Sequence, residues 1–171
     1  PDIAHLLVSF GFADGEHVAF SVEIRREAHE VFNEIGGFFR QFELVLIGAK
    51  ERDIVQLRVD HRGEAVRRFP VTLTAEQRRD LFMSYVELAQ DLEQQPQFYN
   101  TIAANCTTVV YGLARTLKSD LPIDLSLILS VRLPHYLEDL GVLGGEGDMQ
   151  SRFDAALLPT GADQAYPDLS Y

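Results

Sequence analysis

The first third of the chain alternates. Ile3–Phe12 sets apolar side chains between small and polar ones, Ala13-Asp14-Gly15-Glu16 carries turn chemistry, and Val18–Arg25 alternates again. This pattern predicts a β-hairpin closed by a short glycine-containing loop. Glu27–Gln41 is mixed and is broken by Gly36-Gly37, so it predicts helical turns rather than one long helix. Phe42–Ala49 predicts a buried strand. In Arg52–Val59 the apolar residues Ile54, Val55, Leu57 and Val59 fit a strand as well as a short helix. His61-Arg62-Gly63 reads as a turn and Ala65–Leu73 as a further strand.

The period then changes from two to 3.6. Thr74-Ala75-Glu76-Gln77 is a capping box, and Leu81, Phe82, Tyr85, Leu88, Ala89 and Leu92 follow at helical spacing until Pro96. A second helix is expected from near Asn105, with Val109, Val110, Leu113, Ala114 and Leu117 as its apolar face and Asp120-Leu121-Pro122 closing it. Leu133-Pro134 opens a short helix running to Leu140. Gly144-Gly145-Glu146-Gly147-Asp148 is a loop, and Ser151–Leu157 offers one last helix in an otherwise irregular tail. Strands first and helices afterwards predict an α+β fold. No linker or repeat divides the chain, so residues 1–171 are expected to form a single domain, with a core over about 3–140 and an irregular tail over 141–171.

Composition narrows the function classes. The 26 acidic and 15 basic residues give a formal charge of -11, a balance that repels a phosphate backbone and speaks against nucleic acid as a partner. No apolar run approaches the roughly 20 residues of a spanning helix. The chain opens at Pro1 on a strand-like pattern, which is expected of a domain excised from a longer product. One cysteine excludes an internal disulfide and a cysteine-based zinc cluster. Two histidines at the spacing of a zinc helix, a G-x-S-x-G elbow and a phosphate loop are likewise missing, so neither metal nor cofactor is expected.

That leaves the thiol itself. Asn105 is a good N-cap residue, and Thr107 and Thr108 suit a first turn, which puts Cys106 at the first helical position. There the unpaired amides and the positive end of the helix favour a thiolate, and the same amides can receive an oxyanion. The bland alternative is a small buried hydrophobe. A thiolate nucleophile needs a base. Of the five histidines His5, His17, His29, His61 and His135, His17 and His61 lie in or beside turns and His29 lies in a mixed polar segment. His5 interrupts an apolar strand. A hairpin turning about Asp14 pairs Phe12 with Glu16 and His5 with Glu23, and alternation puts His5, Leu7 and Ser9 on the face of Glu23, Ser21 and Ala19. A one-residue slip would move Glu23 away.

The string Ala4-His5-Leu6-Leu7-Val8-Ser9-Phe10-Gly11-Phe12, followed by Ser21-Val22-Glu23-Ile24-Arg25, resembles the N-terminal periplasmic domain of Lnb-type lipoprotein N-acyltransferases. The resemblance continues through Gly37-Phe38-Phe39-Arg40-Gln41-Phe42-Glu43-Leu44, Glu51-Arg52-Asp53 and Arg62-Gly63-Glu64, and is densest at Phe98-Tyr99-Asn100 and Asn105-Cys106-Thr107-Thr108. It implies a periplasmic or membrane-attached bacterial setting and a thiol site of His5 and Cys106, with Glu23 at the acidic position. It also implies a distant likeness to permuted papain-like and NlpC-like folds and to lecithin:retinol acyltransferase, in which an antiparallel sheet bearing the histidine packs on a helix bearing the cysteine. Family chains carry an extension before the histidine strand, so the upstream segment is expected to be lacking here. Tyr99, Asn100 and Asn105 match the motif as supporting residues, either as caps and loop ties or with one amide at the oxyanion. Arg25, Glu51, Arg52 and Asp53 read as an ion-pair network.

The expectation is acyl transfer through a Cys106 thioester. His5 would be its base, Glu23 would orient His5, and Ser21, Tyr99, Asn100 and Asn105 would support the site. The implied partners are a phospholipid acyl donor and an amine acceptor such as a lipoprotein N-terminus. Two rivals stay open: a cysteine amidase or peptidase with water as acceptor, and a non-catalytic envelope module that binds lipid or protein.

Overall fold

The computed structural model of the chain describes residues 4–25, 43–98, 106–122 and 132–159. Among the described residues it is α+β, with three antiparallel strands and five helices. The strands are β1 (Leu7–Gly11), β2 (His17–Arg25) and β3 (Glu43–Lys50), and they pair in the order β1-β2-β3. The helices are α1 (Glu51–Gln56), which runs on into a π-helical turn at Leu57–His61, α2 (Ala75–Gln94), α3 (Cys106–Leu117), α4 (Leu133–Asp139) and α5 (Met149–Ala155). No helix among the described residues is long and apolar enough to cross a membrane. The helical turns expected over Glu27–Gln41 and the apolar stretch Leu125–Val131 lie outside the described residues.

The β1–β2 connection follows the expected register. The Phe12 amide donates to the Glu16 carbonyl at 2.9 Å, and the Gly15 amide donates to the Phe12 carbonyl at 3.0 Å. Gly15 turns with φ +85, a conformation that side-chain-bearing residues rarely adopt.

The chain divides into two compact units. The first comprises Pro1–Val8, Phe20–Gly48 and Thr74–Leu133. Its core joins Val22, Leu44 and Cys106, with Leu6, Leu46, Leu92 and Val109 packed around them. Helix α2 starts where the sequence predicts. The Thr74 hydroxyl accepts from the Gln77 amide at 3.1 Å, and the Gln77 side chain accepts from the Thr74 amide at 2.9 Å. The helix ends at Gln94, because Gln95 precedes Pro96 and is forced into extended geometry. Its inward stripe runs through Leu81, Tyr85, Leu88 and Leu92, and Ala89, expected on that stripe, is exposed. Tyr85 stacks on Phe20, ring centres 4.7 Å apart and 9° from parallel, while Phe82 tilts against Phe20 at 5.7 Å. A Cβ on Gly48 would meet that Phe20 ring at 3.2 Å, so glycine makes room for the aromatic group. Beyond α3, the Tyr111 hydroxyl donates to the Leu121 carbonyl at 2.8 Å and Arg115 donates to Ser119, which closes the last turn.

The second unit comprises Ser9–Ala19, Ala49–Leu73 and Pro134–Tyr171. It settles the ambiguity at Arg52–Val59 in favour of helix. Ile54, Val55, Arg58 and Val59 are all buried, a spacing that shares one helical face but would split across a strand. Buried Glu51 accepts from the Ser9 hydroxyl and pairs with Arg68 at 3.4 Å, and buried Arg58 pairs with Glu64 at 2.8 Å.

The strand expected over Ala65–Leu73 is instead an extended segment with two single bridges, Arg67 to Leu157 and Val71 to Leu143. Its amides and carbonyls are shared between two partners. Arg68 donates to Ala156 and Leu158 to Val66, whereas Thr72 donates to Val142 and Gly144 to Pro70. Pro70, lacking an N–H, interrupts any continuous ladder. The tail read as irregular contains α5, two residues earlier in its start than expected. Asp148 caps it by accepting from the Ser151 amide at 2.8 Å, and hydrogen bonding from the Ser151 side chain, then from that amide, holds the carboxyl below its ordinary range.

Candidate functional site

Cys106 is the first residue of α3 and is buried in the first unit's core, 9% exposed. The aliphatic neighbours that make it a core residue would by themselves raise its pKa, since a dry environment disfavours the charged form. Burial does push the thiol up. A hydrogen bond with the His5 side chain, the Leu6 backbone amide, the charge of His5 and the Thr107 hydroxyl together outweigh it. The net result is a thiol held below its ordinary value. The Thr107 hydroxyl lies 3.9 Å from Sγ and is itself buried.

His5 arrives through the hairpin. It sits just ahead of β1, opposite the part of β2 that carries Ser21 and Glu23. Its Nε2 is 2.7 Å from Ser21 Oγ and 3.1 Å from Glu23 Oε1. Ser21 Oγ in turn donates to Glu23 Oε1 at 2.7 Å. Ser21 and Glu23 are two apart on one strand and therefore share a face, which is why a single histidine reaches both. Exposure is graded across the group: Ser21 is sealed at 0%, while the His5 and Glu23 side chains keep 26% and 24%. The contact requires the register in which position 5 faces position 23.

The structure thus brings together His5, Ser21, Glu23 and Cys106. Asn105, Asn100 and Tyr99 lie outside the described residues. Of the Arg25, Glu51, Arg52 and Asp53 grouping, two members show ion pairs among the described residues. Arg25 pairs with Glu43 at 3.4 Å within the first unit, and Glu51 with Arg68 within the second.

Three contributors were not singled out from the sequence. The Leu6 amide has no side-chain signature. Thr107 read only as a first-turn residue. Tyr85 read as part of an apolar stripe, yet burial and the charge of Cys106 both hold its phenol well above the ordinary tyrosine range. Among the described residues no group of three His, Cys, Asp or Glu side chains could hold a metal ion.

The arrangement provides a thiol poised toward its anion, an imidazole beside it, and a carboxylate behind the imidazole. Residues 1–133 match the family model described as the Lnb N-terminal periplasmic domain. No curated protein and no solved structure gives a significant match to the chain.

Proposed function

We propose, from the premise that the chain belongs to the Lnb N-terminal periplasmic domain family, that Cys106 is the nucleophile of an acyl-transfer reaction. The family makes the chain a periplasmic domain of envelope proteins concerned with lipoprotein modification. The reading of the site is finer than that. The single observation that supports it most is the His5 side chain acting on the Cys106 thiol while Nε2 of the same ring is held at 2.7 Å by Ser21 and at 3.1 Å by Glu23.

In the proposed cycle His5 takes the thiol proton, and Sγ attacks the carbonyl carbon of an ester such as a phospholipid acyl chain. The tetrahedral intermediate collapses to a thioester as the alkoxide leaves with the proton from His5. An amine acceptor then attacks the thioester carbonyl and gives its proton to His5. The thiolate leaves, the amide departs, and the resting proton returns to the pair. Glu23 stabilises the imidazolium that exists between these steps, and the positive N-terminal end of α3 favours the thiolate. The core cluster that holds Cys106 is otherwise aliphatic, built from Val22 and Leu44 with Leu6, Leu46, Leu92 and Val109 packed against it.

The test is incubation with a phospholipid or a thioester-forming acyl donor, then intact-mass measurement with and without hydroxylamine. A hydroxylamine-sensitive acyl adduct on wild type, lost in Cys106→Ala and slowed in His5→Ala, is the expected result. Amide cleavage of a cell-wall peptide with no acyl adduct from lipid would move the reading to hydrolysis. A thiol indifferent to His5 in alkylation would leave a binding module and sink the catalytic reading.

A further inference from the structure

Ser21 is fully buried, with no exposure, and its hydroxyl has two close polar partners. Its hydroxyl has a single proton. An ionised carboxylate only accepts, so the 2.7 Å contact with Glu23 Oε1 takes that proton. The 2.7 Å contact with His5 Nε2 must then run the other way, with the ring N–H donating to Oγ. Reversing it would leave the Glu23 contact without a proton.

We infer that Ser21 is a positioning residue that fixes His5 as the Nε2–H tautomer and leaves Nδ1 as the ring atom that serves the thiol. The inference rests on the reading of His5 as the base for Cys106, and it adds a role for the residue between base and carboxylate. Glu23 alone is a poor anchor, because both it and His5 keep about a quarter of their side-chain surface in water and their direct contact is the longer one, 3.1 Å. Ser21 has no such freedom. It is held on β2 with no exposure, so it sets where the ring stands and where the carboxylate points. The groups that bear on the thiol from the packed elements are His5 and the Leu6 amide ahead of β1 and Thr107 on α3, while the charge of the thiol in turn bears on Tyr85 of α2.

The decisive measurement needs no change at Ser21. In Cys106→Ala labelled with 15N at histidine, at a pH where His5 is neutral, the ring should show a protonated Nε2 and an unprotonated Nδ1. The Nε2 proton should be slow to exchange with water. An Nδ1–H tautomer, or an even mixture, overturns the inference. The second measurement is the pH dependence of Cys106 alkylation in wild type, Ser21→Ala, Ser21→Thr and His5→Ala, each with its melting temperature. Ser21→Ala should raise the thiol pKa by about half to one unit, the size of one ordinary hydrogen bond, and mix the His5 tautomers. Ser21→Thr, which keeps the hydroxyl, should restore both.

A merely structural serine would lower the melting temperature in Ser21→Ala and leave the tautomer and the thiol pKa where they were, which also overturns the inference. The failures separate cleanly. If His5→Ala leaves the thiol unchanged, the reading of the base is wrong; if His5→Ala raises the thiol pKa and Ser21→Ala does not, only the role of Ser21 is wrong.

Discussion

Cys106 stands under two opposed influences, burial that favours the neutral thiol and three local groups, His5, the Leu6 amide and Thr107, that favour the thiolate, and the second set prevails. A thiol depressed in the folded state binds its proton less tightly than in the unfolded chain. Its contribution to stability is therefore fully present above the unfolded value, about 8.5, and is lost as pH falls through the lower folded value. Wild type should accordingly gain in melting temperature over Cys106→Ser as the pH is raised from about 6 to about 9. Differential scanning calorimetry across that window checks it, and a constant difference would contradict the depressed thiol. His5→Ala should slow alkylation at neutral pH about tenfold, equivalent to a rise of roughly one pKa unit. At this scale the sequence was informative about identity. The cysteine at a helix start and the carboxylate opposite the histidine could be found by spacing, although His5, expected inside a strand over Ile3–Phe12, lies just ahead of β1 at Leu7–Gly11. The Leu6 amide could not, because every residue has one and only the packing selects which faces a thiol.

Elements differ in how much of their reason is local. Helix α2 begins at a reciprocal cap between Thr74 and Gln77, both read directly from the sequence. Thr74→Ala should cost about 1 kcal/mol and lower the denaturation midpoint without moving the alkylation profile of Cys106. Leu44→Ala should be harsher. Leu44 is 4% exposed in the cluster that holds Cys106, so truncation should cost about 2–5 kcal/mol in urea unfolding and also blur the thiol profile. Where the reason is not local, the reading of elements failed or stalled. Ile54, Val55, Leu57 and Val59 satisfy two periodicities, and burial of Arg58 with its partner Glu64 decides for helix. The segment around Pro70 has strand composition but pairs with two separate stretches far along the chain, a fact no window of neighbours contains.

On the scale of the whole molecule, charge and chain ends matter most. A net charge of -11 repels itself in the compact state, and salt screens that repulsion. The melting temperature should rise between about 10 and 150 mM sodium chloride, where the screening length falls to about 8 Å; no change would mean the acids are locally compensated. The family match ends at residue 133, yet the second unit draws on residues beyond it. Val142, Gly144, Ala156 and Leu158 supply or receive four backbone bonds with the 66–72 segment, and Phe153 lies 4.1 Å beneath the Arg67 guanidinium. A chain ending after Leu133 strands those groups. It should show faster hydrogen exchange at Arg68 and Thr72 than a chain ending after Pro159, and equal exchange would show that the tail does not close this unit.

By itself the sequence determined the α+β class, the hairpin, the cap of α2 and the helix that opens at Cys106. Each follows from short-range rules, the two-residue period of a strand, the 3.6-residue period of a helix, and the few side chains that cap or turn a backbone. Only the tertiary structure decided that residues 51–61 are helical, that residues 66–72 pair with two distant stretches, and that Ser21 stands between His5 and Glu23 fully shielded from water. The reason is the same in each case. Burial and long-range hydrogen bonding depend on which distant segments arrive together, and the free energy that selects among locally equivalent readings resides in those contacts.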